Sequence, residues 1–250
     1  MRLADKVTLI TGGESGIGLA TARRFVDEGA RVFLVGLDEG RLKEAADELG
    51  AYAGWAVADV TQEAAVEQAT QAAVDRFGPL DVLFSNAGIS GAVSGITDYP
   101  SDVFTRTLAV HVTGAFHCIK AALPRMHDGG SIVITSSVVG LMGIGGLCGY
   151  VAAKHGQVGL MRAVATEVAP RRIRVNSLHP GPTSTLFQSE IEMAATGLPA
   201  GEAAAVFDDL LPLKRHATPA EIAAAVVYLA SDESSFVTRT TLAVDGGLVG

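Results

Sequence analysis

Tyr150 and Lys154 stand four residues apart in the run YVAAK. On a helix that spacing places both side chains on one face, about one turn apart. An ammonium held there favours the ionised phenol. Free tyrosine titrates near pH 10, and bringing it to about 7 takes roughly 4 kcal/mol of differential stabilisation. A phenol so poised is a general acid or base at neutral pH. Ser137 lies thirteen residues before Tyr150, at the end of the apolar run SIVITSS. A hydroxyl at a strand end is placed to hydrogen-bond a carbonyl or alcohol oxygen beside the phenol. Many helices carry a Y-x-x-x-K by chance, so this set gains weight only from what accompanies it.

The N-terminal segment accompanies it. Val7 to Ile10 form a short apolar run, TGGESGIG follows at Thr11 to Gly18, and an apolar-periodic segment runs from Leu19 to Glu28. Strand, glycine-rich turn and helix in that order make a phosphate-binding context. The glycines permit a tight turn and close backbone approach to a pyrophosphate, and the first helical amides face the anion. A glycine-rich turn without a ligand is the plain alternative.

Short apolar runs alternate with helical patterns along the rest of the chain. Strands are expected near residues 6–10, 31–36, 53–58, 80–85, 131–136, 173–178 and 241–244. Helices are expected near 16–28, 39–49, 62–77, 101–126, 150–169 and 219–230. The alternation implies an α/β fold of Rossmann type: a doubly wound parallel sheet of about seven strands with helices on both faces. Gly29, Gly50 and Gly78-Pro79 sit where helices should stop. With no repeat, linker or low-complexity tract, residues 1–250 read as one domain. Ligands in such sheets sit beyond the carboxyl ends of the strands. Gly12, Asn86 and Ser137 all fall at or after such ends.

The two features together resemble the short-chain dehydrogenase/reductase family, and the match runs nearly end to end. TGGESGIG matches its cofactor loop, with Gly12, Glu14, Ser15, Gly16, Ile17 and Gly18 as the residues carried over. Asp59-Val60 matches the pair placed at the adenine, and Asn86-Ala87-Gly88 most of an N-N-A-G motif. Ser137, Tyr150 and Lys154 match the catalytic set. Asn176, Pro180-Gly181 and Thr185, with Thr183 between, match the segment beside the nicotinamide, and Asp245-Gly246-Gly247 a C-terminal D-G-G. The resemblance implies hydride transfer between a nicotinamide and a secondary alcohol or ketone. Tyr150 would exchange the proton, Lys154 would lower its pKa and hold the nicotinamide ribose, and Ser137 would orient the substrate oxygen.

Three positions depart from the family pattern. His111, in LAVHVTG, stands where an Asn usually supports a water-linked proton relay to the Lys. It is expected to serve in that relay or to pack while water reaches Lys154 by another path. Ser85 replaces the first Asn of N-N-A-G, and Arg239 stands where Gly is common. Cofactor choice is less direct. Members that prefer NAD often carry Asp eighteen residues after the last loop glycine, and Gly36 is there; an Arg one place later marks many NADP users, and Leu37 is there. Asp38 is about where the general dinucleotide fold places an acidic ribose ligand, although it also reads as the N-cap of the helix starting at Glu39. Glu14 would repel a 2′-phosphate. NAD is therefore expected, with NADP as the alternative.

Val138, Val139, Leu141, Met142, Leu147 and Phe187 suggest an apolar substrate site, with Ser137, Val139, Leu147 and Phe187 as the contacts. Cyclic alcohols, hydroxysteroids and 3-oxoacyl chains fit it; sugars fit less well. Residues 186–211 break the strand-helix rhythm, with a Gly-Leu-Pro interruption, and read as one or two short helices forming a substrate-side flap. A turnover-deficient NAD(H)-binding regulator is the rival reading, with His111 as its support. An epimerase or dehydratase using the same Tyr-Lys pair is a second, expected to be a longer chain.

Composition narrows the remaining classes. Hydrophobic residues make up 48% and charged residues 18%, enough apolar matter for a large core. A net charge of −8 without Lys/Arg clusters beyond Arg171-Arg172 and Arg174 argues against nucleic-acid binding. Two cysteines, Cys118 and Cys148, make no disulfide framework. The charged start MRLADKV has no apolar leader, and no apolar run nears the roughly 18 residues of a membrane span. A cytoplasmic protein without metal or membrane partner is expected, and the family resemblance implies a homotetramer or homodimer.

Overall fold

The structure, a computed structural model, describes residues 1–249. Seven parallel strands form one sheet: β1 Val7–Thr11, β2 Arg31–Gly36, β3 Ala53–Val57, β4 Leu80–Ser85, β5 Met126–Thr135, β6 Arg174–Pro180 and β7 Thr241–Val244. Their spatial order is β3-β2-β1-β4-β5-β6-β7. The strands read as unbroken apolar runs because both faces are covered. Alternate residues serve opposite faces. Val7, Leu9, Phe33 and Val35 pack with helices α3 (Glu63–Phe77), α5 (Gly114–Ala122) and α6 (Cys148–Val168). Ile10, Val32 and Leu34 pack with α1 (Gly16–Asp27), α2 (Glu39–Leu49) and α9 (Pro219–Ala230).

Chain order reverses between β1 and β4, which are neighbours in the sheet. A crevice opens where the connections leave a sheet in opposite directions, so a ligand site is expected beyond the ends of these two strands.

The segment 101–126 is not one helix. α4 (Ser101–Leu108) runs into a π turn at Ala109–Thr113 before α5 begins. Such turns insert an extra residue and release a carbonyl from the regular ladder. The residue in the middle of this one is His111. After a short 3-10 turn, β5 starts at Met126 rather than 131, with an irregular register against β4 between Leu80 and Val82. Residues 186–211 fold as two helices, α7 (Leu186–Thr196) and α8 (Ala200–Leu210), separated at Gly197-Leu198-Pro199. No helix among the described residues is long and apolar enough to cross a membrane.

Candidate active site

A cleft of about 720 Å³ opens at the carboxyl ends of β1, β4, β5 and β6. The glycine loop forms its floor. Gly12 adopts φ +64°, and a Cβ there would stand 3.1 Å from the Ala87 Cα, so the loop lies tight against the turn after β4. Gly18 does not face the cleft; a Cβ on it would meet the Gly12 carbonyl oxygen at 1.9 Å, so its smallness closes the turn itself. Asn86 fastens the strand ends together. Its Nδ2 donates to the Thr11 carbonyl at 3.3 Å, and its Oδ1 accepts from Thr135 Oγ1 at 3.0 Å.

Ser137, Tyr150 and Lys154 meet on one wall of this cleft. Ser137 follows β5 in extended backbone (φ −168°). Tyr150 and Lys154 occupy the first two turns of α6. Lys154 Nζ lies 5.3 Å from the Tyr150 ring centroid and donates to the Thr135 carbonyl at 2.8 Å. Both side chains are buried. Burial, with no carboxylate against either, dominates their titration. It lowers the Lys154 ammonium to about 7 and raises the Tyr150 phenol well above its ordinary value, against a smaller opposing effect from the Ser137 hydroxyl. The expected lowering of the phenol by the ammonium is therefore not what the protein alone provides. Desolvation penalises each charge separately; a phenolate and an ammonium formed together would each supply the counter-charge the other lacks.

His111 is buried at the back of the same wall. Its ring stands edge-on to Tyr150, with centroids 5.4 Å apart. Its Nε2 is 2.8 Å from the Ile89 carbonyl oxygen and 3.2 Å from the Ile89 amide. With the proton placed on Nε2, the ring donates to that carbonyl and leaves Nδ1 a buried lone pair without a partner. Burial, and then the Lys154 charge, hold the imidazole well below its ordinary pKa, so it stays neutral. Its carbonyl accepts from Gln157 Nε2 at 3.0 Å.

Sequence reasoning missed His179. From β6 its Nδ1 reaches the Ser137 carbonyl at 2.6 Å and its Nε2 the Ser177 hydroxyl at 2.8 Å. Burial holds it near pKa 4, so a neutral ring pins the backbone of Ser137 from the next strand. Nothing in the run NSLHPG marks this, because the partner lies 42 residues away. Thr61, Gln62, Ile89, Arg106, Ala109 and Val110 also line the cleft and were not anticipated.

Of the anticipated cofactor residues, Gly12, Glu14, Ser15, Gly16, Ile17, Asp59, Val60, Asn86, Ala87, Gly88, Pro180, Gly181, Thr183 and Thr185 all line it. Asp38 does not. Its Oδ1 accepts from the Arg41 amide at 3.0 Å and its Oδ2 lies 3.5 Å from the Arg41 guanidinium, so it is committed to capping α2. Of the anticipated substrate residues, Ser137 and Phe187 line the cleft, while Val139 and Leu147 sit behind it in the apolar cluster around Tyr150. Phe187 faces Tyr150 at 6.0 Å between centroids.

The comparisons with known proteins agree with this arrangement. A family model described as enoyl-(acyl carrier protein) reductase matches residues 12–249. Levodione reductase of Leifsonia aquatica is 38% identical over 98% of this chain and 95% of its own, and a crystal structure of levodione reductase superposes with a TM-score of 0.95 over 98% of both chains, at 37% identity. The chain belongs to the short-chain dehydrogenase/reductase family. It is an NAD(P)-dependent oxidoreductase. Other members similar to it are trans-4-hydroxycyclohexanecarboxylate dehydrogenase of Sinomonas cyclohexanicum, 42% identical over 98% of this chain and 93% of that one, and a blue fluorescent protein from a metagenomic library, solved in complex with NADPH, at 32% identity, full coverage of both chains and a TM-score of 0.91. The cleft fits the dinucleotide the family uses. The backbone cradle at Gly12 has no room for a side chain, and Glu14 and His111, both lining residues, carry the buried atoms Oε2 and Nδ1 that have no partner among the described residues.

One further feature ties the α7–α8 segment of this family member to its body. His216, between α8 and α9, binds Asp208 through Nδ1 at 2.7 Å and Glu192 through Nε2 at 2.6 Å. Glu192 is buried and also accepts from Gln188 at 2.8 Å. Burial alone would lower the imidazole, but the two carboxylates outweigh it and raise its pKa. The stabilisation it gives is full below its unfolded value of about 6.5 and is lost as pH rises through the higher folded value. His216→Ala strips buried Glu192 of its cation and is expected to cost about 2–3 kcal/mol locally. Limited proteolysis at Gly197–Pro199 reads this out: cleavage quickens in the variant, and in the wild type as pH is raised toward 9.

Proposed function

We propose that this protein is an NAD(H)-dependent dehydrogenase/reductase of apolar cyclic secondary alcohols and ketones. The observation that carries this reading is the convergence of Ser137, Tyr150, Lys154 and Phe187 on one wall of a cleft whose other end is the glycine loop. When bound, the nicotinamide would supply or accept the hydride. The chain's own residues do the rest. Tyr150 gives its proton to the carbonyl oxygen in reduction and takes it back in oxidation. Ser137, its backbone fixed by His179, orients that oxygen. Lys154 stabilises the phenolate as it forms and holds the nicotinamide ribose. Gly12–Ile17 hold the diphosphate, Asp59 and Val60 the adenine, and Pro180–Thr185 the nicotinamide. His111 is a positioning residue: its ring holds Ile89 and buttresses Tyr150, and its carbonyl accepts from Gln157.

The apolar character of the substrate end supports the substrate class. Val138, Val139, Leu147 and Ile191 are buried around Tyr150, with Phe187 packed over them. Tyr150 and Phe187 are the rings that this cluster presents to the cleft, and a carbon ring packed against them gains about 25 cal/mol per Å² of apolar surface buried. The names of the relatives, a cyclohexanecarboxylate dehydrogenase among them, point the same way. The α7–α8 pair acts as a flap over this end, and the protein acts as a cytoplasmic homotetramer or homodimer.

The test is NADH oxidation, followed by absorbance, on 4-substituted cyclohexanones, decalones, a 3-oxoacyl thioester and a ketose. Cyclic ketones are expected to exceed the ketose in kcat/KM by at least about a hundredfold, since a buried apolar wall leaves a sugar's hydroxyls without partners. Equal rates on the ketose contradict the substrate class, and no turnover on any of them contradicts the enzyme.

A further inference from the structure

We propose that Glu14 is the acidic ligand of the adenosine ribose, reaching from the glycine loop into a space that Gly36 leaves open. The inference rests on the NAD reading and deepens it. Glu14 Oε1 accepts from the Leu37 amide at 3.2 Å, which fixes the carboxylate across the end of β2. The other oxygen, Oε2, is buried and has no partner among the described residues, and Glu14 is one of the residues that line the cleft. A buried carboxylate oxygen without a donor is costly, and hydroxyl donors from a ligand remove that cost. Gly36 and Leu37 line the same corner of the cleft.

The absence of a side chain at 36 is what makes room. A Cβ on Gly36 would stand 2.2 Å from Glu14 Oε2 and 2.3 Å from Glu14 Cδ. A side chain at 36 and the observed Glu14 thus compete for one volume. A carboxylate from β2 and a carboxylate from the glycine loop are alternative ways to fill it, and this chain uses the second. Asp38, which spacing alone favoured, is turned away on Arg41. An anion at this corner accepts hydrogen bonds from a ribose diol and repels a 2′-phosphate at close range.

Dissociation constants for NADH and NADPH, measured by calorimetry, test this without reference to turnover. The variants are Glu14→Ala, Glu14→Gln, Asp38→Asn and the double variant Glu14→Ala with Gly36→Asp. Loss of a charge-assisted hydrogen bond predicts NADH binding weakened roughly 10- to 100-fold in Glu14→Ala. NADPH binding should tighten, so that the ratio of the two constants moves by more than about a hundredfold. Glu14→Gln, of the same shape, should move the ratio in the same direction by less. The double variant should recover NADH binding to within about fivefold of wild type, because it returns a carboxylate to the vacated volume. Asp38→Asn should leave the ratio unchanged. A ratio unmoved in Glu14→Ala, or moved by Asp38→Asn instead, overturns the assignment. The wild-type ratio is a separate reading: a wild type that prefers NADPH overturns the NAD proposal, while the shift on Glu14→Ala still decides the role of Glu14.

Discussion

Tyr150→Phe is expected to lower kcat by about 100- to 10,000-fold, the contribution a positioned general acid makes, while NADH still binds within about threefold of wild type. The substitution removes one oxygen and nothing else that packs. The phenyl ring keeps its edge contact with His111, its approach to Phe187 and its place under the Lys154 ammonium. The hydroxyl has a high proton affinity in its buried setting, so it enters the reaction protonated and suited to reduction. Removing it leaves no titratable group at that point of the wall. Single-turnover absorbance with saturating NADH separates the outcomes: a bound but unreactive complex supports the role, and unchanged turnover refutes it.

Lys154→Met should abolish useful turnover and at the same time make the protein more stable. The ammonium is buried and lowered to about 7 with no carboxylate against it. Folding at neutral pH must therefore partly strip its proton or bury its charge, a cost on the order of 2–4 kcal/mol. Methionine has nearly the same length and no charge. It forfeits the hydrogen bond to the Thr135 carbonyl at 2.8 Å, worth about 1 kcal/mol, so a net gain of about 1–3 kcal/mol remains. The sign of the pH dependence follows from the depressed folded value. Between about 7 and 10.5 the unfolded lysine holds a proton that the folded one has released, so wild-type stability rises with pH over that interval. The advantage of the variant should accordingly shrink from pH 7 to pH 9. Urea midpoints at both values measure it, and a variant less stable than wild type at pH 7 contradicts the account. Tyr150 and Cys118, whose thiol burial pushes up to about 12, titrate in the opposite sense at higher pH, but both are present in the two proteins and cancel in the difference.

Much of this was legible because it is local. Strands covered on both faces read as continuous apolar runs, and helix stops fall at glycines such as Gly50 and Gly78. The loop TGGESGIG and the pair Tyr150 and Lys154 carry their geometry in their spacing. What was not legible depends on contacts between distant segments or on burial. The π turn at Ala109–Thr113 has no periodic signature in LAVHVTG. His179 and His216 find their partners in other elements, and neither stood out in the sequence. Spacing reveals the proximity of Tyr150 and Lys154 but not their burial, which opposes the charge of each. Asp38 had the expected separation from Gly18, yet its side chain is consumed by a helix cap, while the Glu14 carboxylate fills the corner over Gly36. The rival reading of a turnover-deficient regulator leaned on His111. That residue's side chain holds the Ile89 backbone and leaves Ser137, Tyr150 and Lys154 intact on the cleft wall.

The most direct measurement of the central claim is the fate of deuterium from NADH carrying deuterium at both C4 positions during reduction of a 4-substituted cyclohexanone. The account predicts one deuterium on the carbinol carbon of the product, with the hydroxyl proton drawn from solvent, and no transfer in Tyr150→Phe under the same conditions. NADH consumed without deuterium at that carbon, or transfer of equal rate in the variant, would contradict it.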